Sequence, residues 1–231
     1  MHDAILSYPD VALGVECAFP APDGSFRDRA RRATRARRLA RVAAGLLAAA
    51  LLAAGLWQFG QGAYIRAKAG LAQVLLRHAW ARTLAGEREV KPWLWADTWP
   101  VARLSVPGRG IDLFVLAGAN GRTMAFGPGH VFGTPVPGER GNSAIGGHRD
   151  THLAFLRKLE LGDELLVERA DGVHRRYRVD WAQVLDKRET WVLKNEGPTR
   201  LTLITCYPFD AVRAGGPRRY VVTARAVDAE R

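Results

Sequence analysis

The chain has 231 residues, enough for one domain of ordinary size with appendages, and a formal net charge of +11. Residues 1–41 carry eight arginines against five acids, and residues 42–85 carry four bases and no acids, whereas residues 86–231 carry 22 bases and 18 acids. More than half of the excess positive charge therefore lies around one segment near the amino terminus. This distribution argues against a basic nucleic-acid-binding surface on the folded domain, so we predict no nucleic-acid partner.

The segment in question, residues 42–59, reads VAAGLLAAALLAAGLWQF and has Gln58 as its one polar interruption. A helix of that length reaches roughly 27 Å at ~1.5 Å per residue, close to the hydrocarbon thickness of a bilayer. All eight amino-terminal arginines lie in residues 27–41, and such a cluster marks the cytoplasmic flank of an anchor. We predict an uncleaved single-pass anchor in the inner membrane, with residues 1–41 as a cytoplasmic basic tail and residues 60–231 in the periplasm.

Residues 42–59 have two other interpretations besides the anchor. A cleaved signal peptide fits less well, because the apolar run is long for one, begins only at residue 42, and has no convincing small-x-small cleavage site. A buried Ala- and Leu-rich core helix is the second alternative.

The regions on either side of the anchor differ in character. Residues 1–26 mix Pro, Gly, Ser and Asp without a period, which predicts disorder. Residues 63–87 have helical spacing, with an apolar face made of Leu71, Ala72, Leu75, Leu76, Ala79, Trp80 and Leu84. We expect residues 60–90 to form a basic juxtamembrane helix that lies on lipid headgroups or packs on the domain as a stalk, and the sequence leaves both open.

From Pro92 onward the chain consists of short alternating runs separated by Gly and Pro. A hairpin turn is predicted at Asp171–Gly172, and the one helical interruption is residues 153–162, ended by Gly162. We predict that residues 91–231 form a mainly β domain, a closed or nearly closed antiparallel eight-stranded β-barrel with one or two short helices. The predicted strands are 101–106, 111–116, 122–126, 142–147, 163–169, 174–181, 199–206 and 219–227.

Cys206 lies at the end of the strand-like run LTLIT, before Pro208, which removes a backbone donor and ends the strand. The predicted topology places Cys17, the other cysteine, in the cytosol, so the two cannot pair within one chain. A lone thiol in an oxidising compartment suggests reactivity. We therefore take Cys206 as a candidate nucleophile, the alternative being a small buried hydrophobic side chain.

A thiol nucleophile needs a proton carrier and a cation for the developing oxyanion. His148 follows residues 142–147 and two glycines, and it caps that strand as Cys206 caps its own. Arg219 begins the next strand after Cys206, so antiparallel pairing would place it across from the thiol. The ordinary alternatives are a histidine without a catalytic role and an arginine that protects a strand edge.

These residues resemble the sortases. The resemblance rests on TLITC followed by RYVV, with GPGH…PVPGERGNSAIGGHRDTHLAFL upstream, and it covers residues 97–227 approximately. The Pro-Gly-x-x-Gly-Asn…Gly-His-Arg-Asp block is similar to class D and to its proteobacterial, Gram-negative relatives. The resemblance implies the closed eight-stranded sortase barrel, with Cys206 as nucleophile, His148 as proton carrier and Arg219 as the arginine that binds substrate and oxyanion.

The resemblance also implies a reaction. Members of this family cleave a carboxyl-terminal sorting signal similar to Leu-Pro-x-Thr-Gly after Thr, hold the acyl chain as a thioester and transfer it to an amine. The implied partners are a protein substrate with such a signal, an amine acceptor and the membrane, and we expect no cofactor and no metal. Asp150, Thr205 and His130 are weaker candidates for orienting the site or binding substrate, and Asp150 is alternatively a simple turn residue.

Other functional classes remain as alternatives to a membrane-anchored cysteine transpeptidase. One is a periplasmic thiol hydrolase or peptidase on the same barrel, with water as the acceptor. Another is a non-enzymatic binding barrel in which Cys206 is merely buried. An L,D-transpeptidase is disfavoured, because its Ser-x-Gly-Cys signature is missing from this sequence.

Overall fold

The computed structural model describes residues 24–213 and 215–227 of the chain. The chain divides into two compact units, Met1–Gly62 and Ala63–Arg231. The predicted disorder of residues 1–23, together with Cys17, lies outside the described residues. Residues 24–26 were also predicted to be disordered, and they instead begin helix α1 (Gly24–Leu84).

In the first unit, α1 has the composition of a membrane-spanning helix. A window of 18 residues within Arg31–Leu84 has a mean hydropathy of 2.0, and none of it is buried. Leu46, Leu52 and Trp57 are all well exposed on this helix. An apolar surface of that extent is unfavourable in water. By length and composition the segment is therefore compatible with a single-pass anchor.

In the second unit, the last turns of α1 pack against the β domain. The buried face of the helix repeats at helical spacing and consists of Ala72, Leu76, Ala79, Trp80 and Thr83. The indole Nε1 of Trp80 donates to Glu168 at 3.1 Å, and its ring lies 6.4 Å from that of Phe114. The amide of Gln73 donates to the Phe126 carbonyl at 2.9 Å. These contacts are those that a stalk packed on the domain requires.

The β domain is a closed eight-stranded barrel, as the sequence predicted, with strand order β1-β2-β3-β4-β7-β8-β6-β5 and β5 paired back to β1. Six of the strands coincide with predicted ones to within one residue at each end, and a seventh, β6, begins as predicted but runs five residues beyond the predicted end. The strands are β1 Pro100–Val106, β2 Ile111–Ala117, β3 Gly129–His130, β4 Asn142–Gly147, β5 Glu164–Arg169, β6 His174–Asp186, β7 Arg200–Tyr207 and β8 Arg218–Ala226.

One predicted strand is wrong. Residues 122–126 form a 3-10 turn, Thr123–Ala125, because the Asn120 side chain accepts hydrogen bonds from the backbone N–H groups of Arg122 and Thr123. Such a local side-chain bond competes with strand pairing. The one strand of the barrel that the sequence did not predict is β3. It has only two residues and therefore no alternating pattern.

The predicted helix over residues 153–162 is also shorter than expected, a 3-10 segment at Ala154–Lys158. Gly162 still ends the region with a φ of +92°, a conformation that favours glycine. Two further 3-10 segments are Pro107–Arg109 and Thr190–Leu193.

The barrel is not wholly antiparallel, and this corrects the predicted pairing. Strands β2 and β3 run parallel, as do β4 and β7. In the second pair Asn142 lies opposite Arg200, and the register continues without a shift to Gly147 opposite Thr205. Parallel strands need a long crossover, and here β5 and β6 lie in the connection. The two strands therefore end at the same edge of the sheet.

Alternation along the strands separates an interior from an outer face. Leu201 and Leu203 of β7 are fully buried in the main core, which fills the barrel together with residues such as Tyr177 and Leu104. Ile204 points the other way and packs with a second, smaller cluster on the outside. That cluster comprises Leu185, Val192 and Val221, with Trp181, Leu193 and Ile204 beside them.

The connection from β6 to β7, residues 187–199, contributes Val192 and Leu193 to that outer cluster, and we call it the covering segment. Asn142 of β4 fixes it to the barrel. The Asn142 side chain donates to the carbonyls of Val192 (2.7 Å) and Lys194 (3.0 Å), and it accepts a hydrogen bond from the Thr202 hydroxyl (2.7 Å). All the hydrogen-bonding capacity of this buried amide except one lone pair is thereby used.

We predict that Asn142→Ala destabilises the domain by about 2–4 kcal/mol, because it leaves the buried Val192 carbonyl, the part-buried Lys194 carbonyl and the buried Thr202 hydroxyl without their partner. Denaturant unfolding followed by tryptophan fluorescence measures this. Glu196→Ala, at an exposed position of the covering segment, is the matched control and should stay within ~0.5 kcal/mol of the parent. Equal stability of the two variants would contradict the role given to Asn142.

Candidate active site

Cys206 lies near the end of β7 on the outer face of the sheet, with the same orientation as Ile204 two residues before it. Its thiol is free and half-buried. A rigid strand thus presents the sulfur at the edge of the barrel, where solvent and a ligand can reach it. This placement fits the one predicted for a strand-end nucleophile, although β7 continues one residue further, to Tyr207.

The antiparallel pairing of β7 and β8 puts Arg219 directly opposite Cys206, as the connectivity of the two strands predicted. Directly opposite residues lie on the same face of a sheet. Arg219 is half-buried, and its Nη1 donates to the carbonyls of Gly216 (2.9 Å) and Arg218 (2.8 Å). Among the hydrogen bonds described for this side chain none uses Nε or Nη2, so those donors are available to a ligand.

His148 reaches the same edge from the other side of β7. The parallel register ends with Gly147 opposite Thr205, and extending it by one residue brings His148 beside Cys206. The buried Thr205 hydroxyl donates to the Gly147 carbonyl at 2.8 Å, which holds the two strand ends together. His148 itself is exposed. The structure thus places Cys206 and Arg219 opposite each other on one face and brings His148, the residue after the end of β4, to the same edge of the barrel.

The glycine before His148 has a packing role that the sequence did not reveal. A Cβ on Gly147 would lie 2.7 Å from Cγ of Leu153, a distance that real side chains do not tolerate. Leu153 is fully buried, and its backbone N–H donates to the His148 carbonyl at 3.0 Å. Gly147 therefore allows the chain after β4 to fold back tightly, and this turn fixes the backbone of His148.

His152 lies close enough to His148 for their charges to interact. Burial lowers the pKa of His152, the Ala125 carbonyl that its ring contacts opposes this, and the charge of His148 lowers the pKa further. A lowered pKa favours the neutral ring. His152 is thus a second imidazole near the site, one that favours the uncharged form.

The weaker candidates are placed differently from one another. His130 is 5% exposed, and its Nε2 lies within 2.9–3.1 Å of the Thr134 carbonyl and hydroxyl and the Pro135 carbonyl, so it shapes its own loop. Asp150 is exposed, and in the described part of the chain it makes no hydrogen bond or ion pair with His148. Thr205 contacts the Gly147 backbone from the interior side of the sheet.

Sequence reasoning missed Arg149. This side chain is only 8% exposed, and its Nη2 donates at 2.7 Å to the carbonyls of both Ala211 and Arg213 in the β7–β8 loop. The signal was present, since an arginine directly follows the candidate histidine. Nothing in the local pattern, however, distinguishes it from the many exposed arginines of the chain.

Three aromatic rings pack together where β7 ends and β8 begins. Tyr207 and Tyr220 stack with ring centroids 6.4 Å apart, and Phe209 meets Tyr220 edge-on at 5.4 Å. Tyr220 and Phe209 also contact the main core. This packing stiffens the strand ends that carry Cys206 and Arg219.

Among the described residues, no group of three or more His, Cys, Asp or Glu side chains is arranged to hold a metal ion. The acidic residues near β5 have other partners. Asp163 accepts from Arg109 at 2.7 Å, Glu164 lies 3.3 Å from Arg178, and Glu168 accepts from Trp80. The groups that the structure brings to the edge are a thiol, an imidazole and a guanidinium, which acyl transfer through a thioester requires.

Comparison with known proteins points to one family. The family model of the sortase domain matches residues 104–227. Sortase D of Bacillus subtilis is 30% identical over 125 residues, which are 54% of this chain and 62% of that protein. Sortase A of Listeria monocytogenes is 29% identical over 110 residues, 46% of this chain and 49% of that protein. The chain thus spans less than two thirds of the length of these two relatives.

Solved structures give the same family. Sortase C-1 from Actinomyces oris superposes with a TM-score of 0.51 and 31% identity, over 56% of this chain and 74% of that one. Sortase A from Corynebacterium diphtheriae has the same fold, with a TM-score of 0.52 and 24% identity over 69% and 85% of the two chains. The predicted likeness to class D is supported by the Bacillus relative, whereas the proteobacterial likeness stays a prediction. Because the family model covers more than half of the chain, this protein belongs to the sortase family.

Proposed function

We propose that this protein is a membrane-anchored cysteine transpeptidase that cleaves a carboxyl-terminal sorting signal and transfers the acyl chain to an amine. The observation that carries the proposal is the register of three adjacent strands, which brings His148, Cys206 and Arg219 to one edge of the barrel. Membership of the sortase family supports it. A signal similar to Leu-Pro-x-Thr-Gly, cut after Thr, is the substrate that the resemblance implies.

In the first half-reaction, the thiolate of Cys206 attacks the carbonyl carbon of the Thr residue, since the thiolate is the nucleophilic form. The carbonyl oxygen becomes an oxyanion, for which Arg219 supplies N–H donors. When the tetrahedral intermediate collapses, the C–N bond breaks and the leaving amine takes a proton from His148. The acyl chain is then held as a thioester on Cys206.

In the second half-reaction, an incoming amine attacks the thioester carbonyl and gives its proton to His148. The C–S bond breaks, the new amide forms and the Cys206 thiolate is regenerated. A thioester retains the acyl energy until the amine arrives, so that transfer can compete with hydrolysis. Water in place of the amine would give the thiol hydrolase or peptidase activity expected when no amine is present.

The membrane part of the proposal rests on the exposed apolar segment of α1 and on residues 27–41, the arginine-rich stretch that directly precedes this segment. Arginine clusters are retained on the cytoplasmic side. The amino terminus would thus be cytoplasmic and the barrel periplasmic, with the inner membrane as the location. A substrate that has crossed the inner membrane would then present its sorting signal on the same side of the membrane as the barrel.

For the nucleophile, we expect Cys206→Ala to abolish both the acyl-enzyme adduct and product, because no other described thiol can form the thioester. Intact-mass spectrometry after incubation with a Leu-Pro-x-Thr-Gly peptide and an amine measures both. Cys17→Ala is the matched control and should keep wild-type turnover. Retained turnover in the Cys206 variant would overturn the mechanism, and hydrolysed peptide alone at high amine concentration would favour the hydrolase.

For the cation, we expect Arg219→Ala to lower turnover about 10²-fold or more, the usual loss for one oxyanion donor. Arg219→Lys should recover little, because a point charge lacks the planar fork of donors. Arg218 is the matched control: it pairs with Tyr207, and its side chain points to the opposite face, so Arg218→Ala should stay within a few-fold of wild type. Steady-state kinetics on folded protein measures all three. An essential Arg218 beside a dispensable Arg219 would contradict the proposed roles.

For the topology, we expect a reporter that is active only in the periplasm to be active when fused after Arg231. The arginine cluster holds the amino terminus inside, so the chain after the anchor must emerge outside. The same reporter fused after residue 41, ahead of the apolar segment, is the control and should be inactive. Activity of a cytosol-specific reporter at Arg231 would show that the orientation is wrong.

A further inference from the structure

We propose that Arg149 is a positioning residue of the active site, which holds the β7–β8 loop against the turn that carries His148. This inference deepens the proposed function and rests on it for the identity of the site. The loop, described at residues 208–213 and 215–217, connects the strand of Cys206 to the strand of Arg219. Arg149 directly follows His148 in the chain, so one side chain joins the segments of all three principal residues.

The contacts of Arg149 are specific to the loop backbone. Its Nη2 donates to the carbonyls of Ala211 and Arg213, each at 2.7 Å, although these residues are 62 and 64 positions away in the chain. Hydrogen bonds from a charged donor are short and belong to the stronger class. Because the acceptors are backbone carbonyls two residues apart, the bonds fix the path of the loop and not the identity of its side chains.

The cost of this arrangement argues for a role beyond stability. Arg149 is 8% exposed, and its Nη1 is buried. Among the described residues this Nη1 has no hydrogen-bond partner, and the side chain has no ion pair with a carboxylate. A buried cation with an unused donor is an expensive way to fill space, and well-packed apolar residues usually serve as well or better. The contribution that an apolar residue could not supply is the pair of bonds to the loop.

Arg219 holds the other end of the same loop, since its Nη1 donates to the Gly216 and Arg218 carbonyls. Two guanidinium groups therefore fix the loop, one from the His148 turn and one from β8. If Arg149 is removed, the loop keeps its attachment beside Arg219 but loses its attachment to the His148 side. The expected defect is a local loss of order between Phe209 and Arg213, with the barrel intact.

The experiment uses the full chain in detergent and compares wild type with Arg149→Gln, Arg149→Lys and Arg149→Ala. Arg157→Gln is the matched control, an exposed arginine on the same connection after β4 that has no described contact with the loop. Hydrogen–deuterium exchange with mass spectrometry follows peptides from residues 207–218 and from β1 and β6. Cleavage of a Leu-Pro-x-Thr-Gly peptide gives kcat and KM, with and without millimolar guanidinium added to the Arg149→Ala variant.

We expect loop exchange to rise about tenfold or more in the Arg149→Gln and Arg149→Ala variants, with unchanged exchange in β1 and β6, because only the loop loses bonds. Turnover should fall by roughly 10²-fold, because a small misplacement of a catalytic group can lower the rate by that factor. Added guanidinium should restore part of the lost turnover in Arg149→Ala. Arg149→Lys should restore one bond at most, and Arg157→Gln should match wild type.

Two results would overturn the proposal. One is loop exchange equal to wild type in all Arg149 variants. The other is faster exchange throughout the barrel with normal turnover per folded molecule, which would make Arg149 a purely structural residue. If wild type itself fails to cleave the peptide, the proposed function fails instead, and the exchange measurement alone decides whether Arg149 fixes the loop.

Discussion

The parallel pairing of β4 with β7 is the constraint on which the rest of the candidate site depends. Parallel neighbours end at the same edge of a sheet, so the residues that follow Gly147 and Thr205 emerge side by side. Antiparallel pairing of β7 with β8 then brings the first residues of β8 back to that edge. A shift of one residue in either pairing would turn a side chain to the interior face. The relative positions of the thiol, the imidazole and the guanidinium therefore depend on these two registers.

Buried polar side chains specify the β4–β7 register at both ends. At the beginning of the strands the Thr202 hydroxyl donates to the Asn142 side chain at 2.7 Å, and at their end the Thr205 hydroxyl donates to the Gly147 carbonyl at 2.8 Å. In a slipped pairing these buried groups would lose their partners, and an unsatisfied buried polar group costs about 1–3 kcal/mol. Apolar packing alone would keep the correct side chains on the interior face. It would discriminate less sharply against a shift of two residues, which leaves the same side chains facing the interior.

The sequence revealed those features of the fold that local patterns encode. Alternation predicted seven of the eight strands, including β6, where Tyr177 and Val179 are buried and Arg176 and Arg178 are exposed. The position of Arg219 opposite Cys206 also followed from the sequence, because a short connection between consecutive strands makes antiparallel pairing the natural assumption. In both cases the relevant information lies within a few residues or one hairpin.

Features that depend on distant parts of the chain were missed or wrong. The parallel partner of β4 could not be read from the sequence, since β5 and β6 intervene before β7. The two-residue strand β3 has no period, and the Asn120 turn imitates a short strand in its apolar content. Arg149 differs from exposed arginines only through carbonyls more than sixty positions away. Gly147 was noticed, yet its reason, the side chain of Leu153, appeared only in three dimensions.

The block GNSAIGGHR, residues 141–149, supplies more of the site than its short length suggests. Its first part contains Gly141, whose φ of +103° is a conformation for glycine, and Asn142, which secures the covering segment beside the face that carries Cys206. Its last part contains His148 and then Arg149, which contacts the β7–β8 loop. One connection, the covering segment, is therefore attached to β4 itself, and the other, the β7–β8 loop, is attached to the turn that directly follows β4. A change that shifts β4 would therefore move His148 and both attachments together, while a change in either connection alone would leave the pairing of β4, β7 and β8 intact.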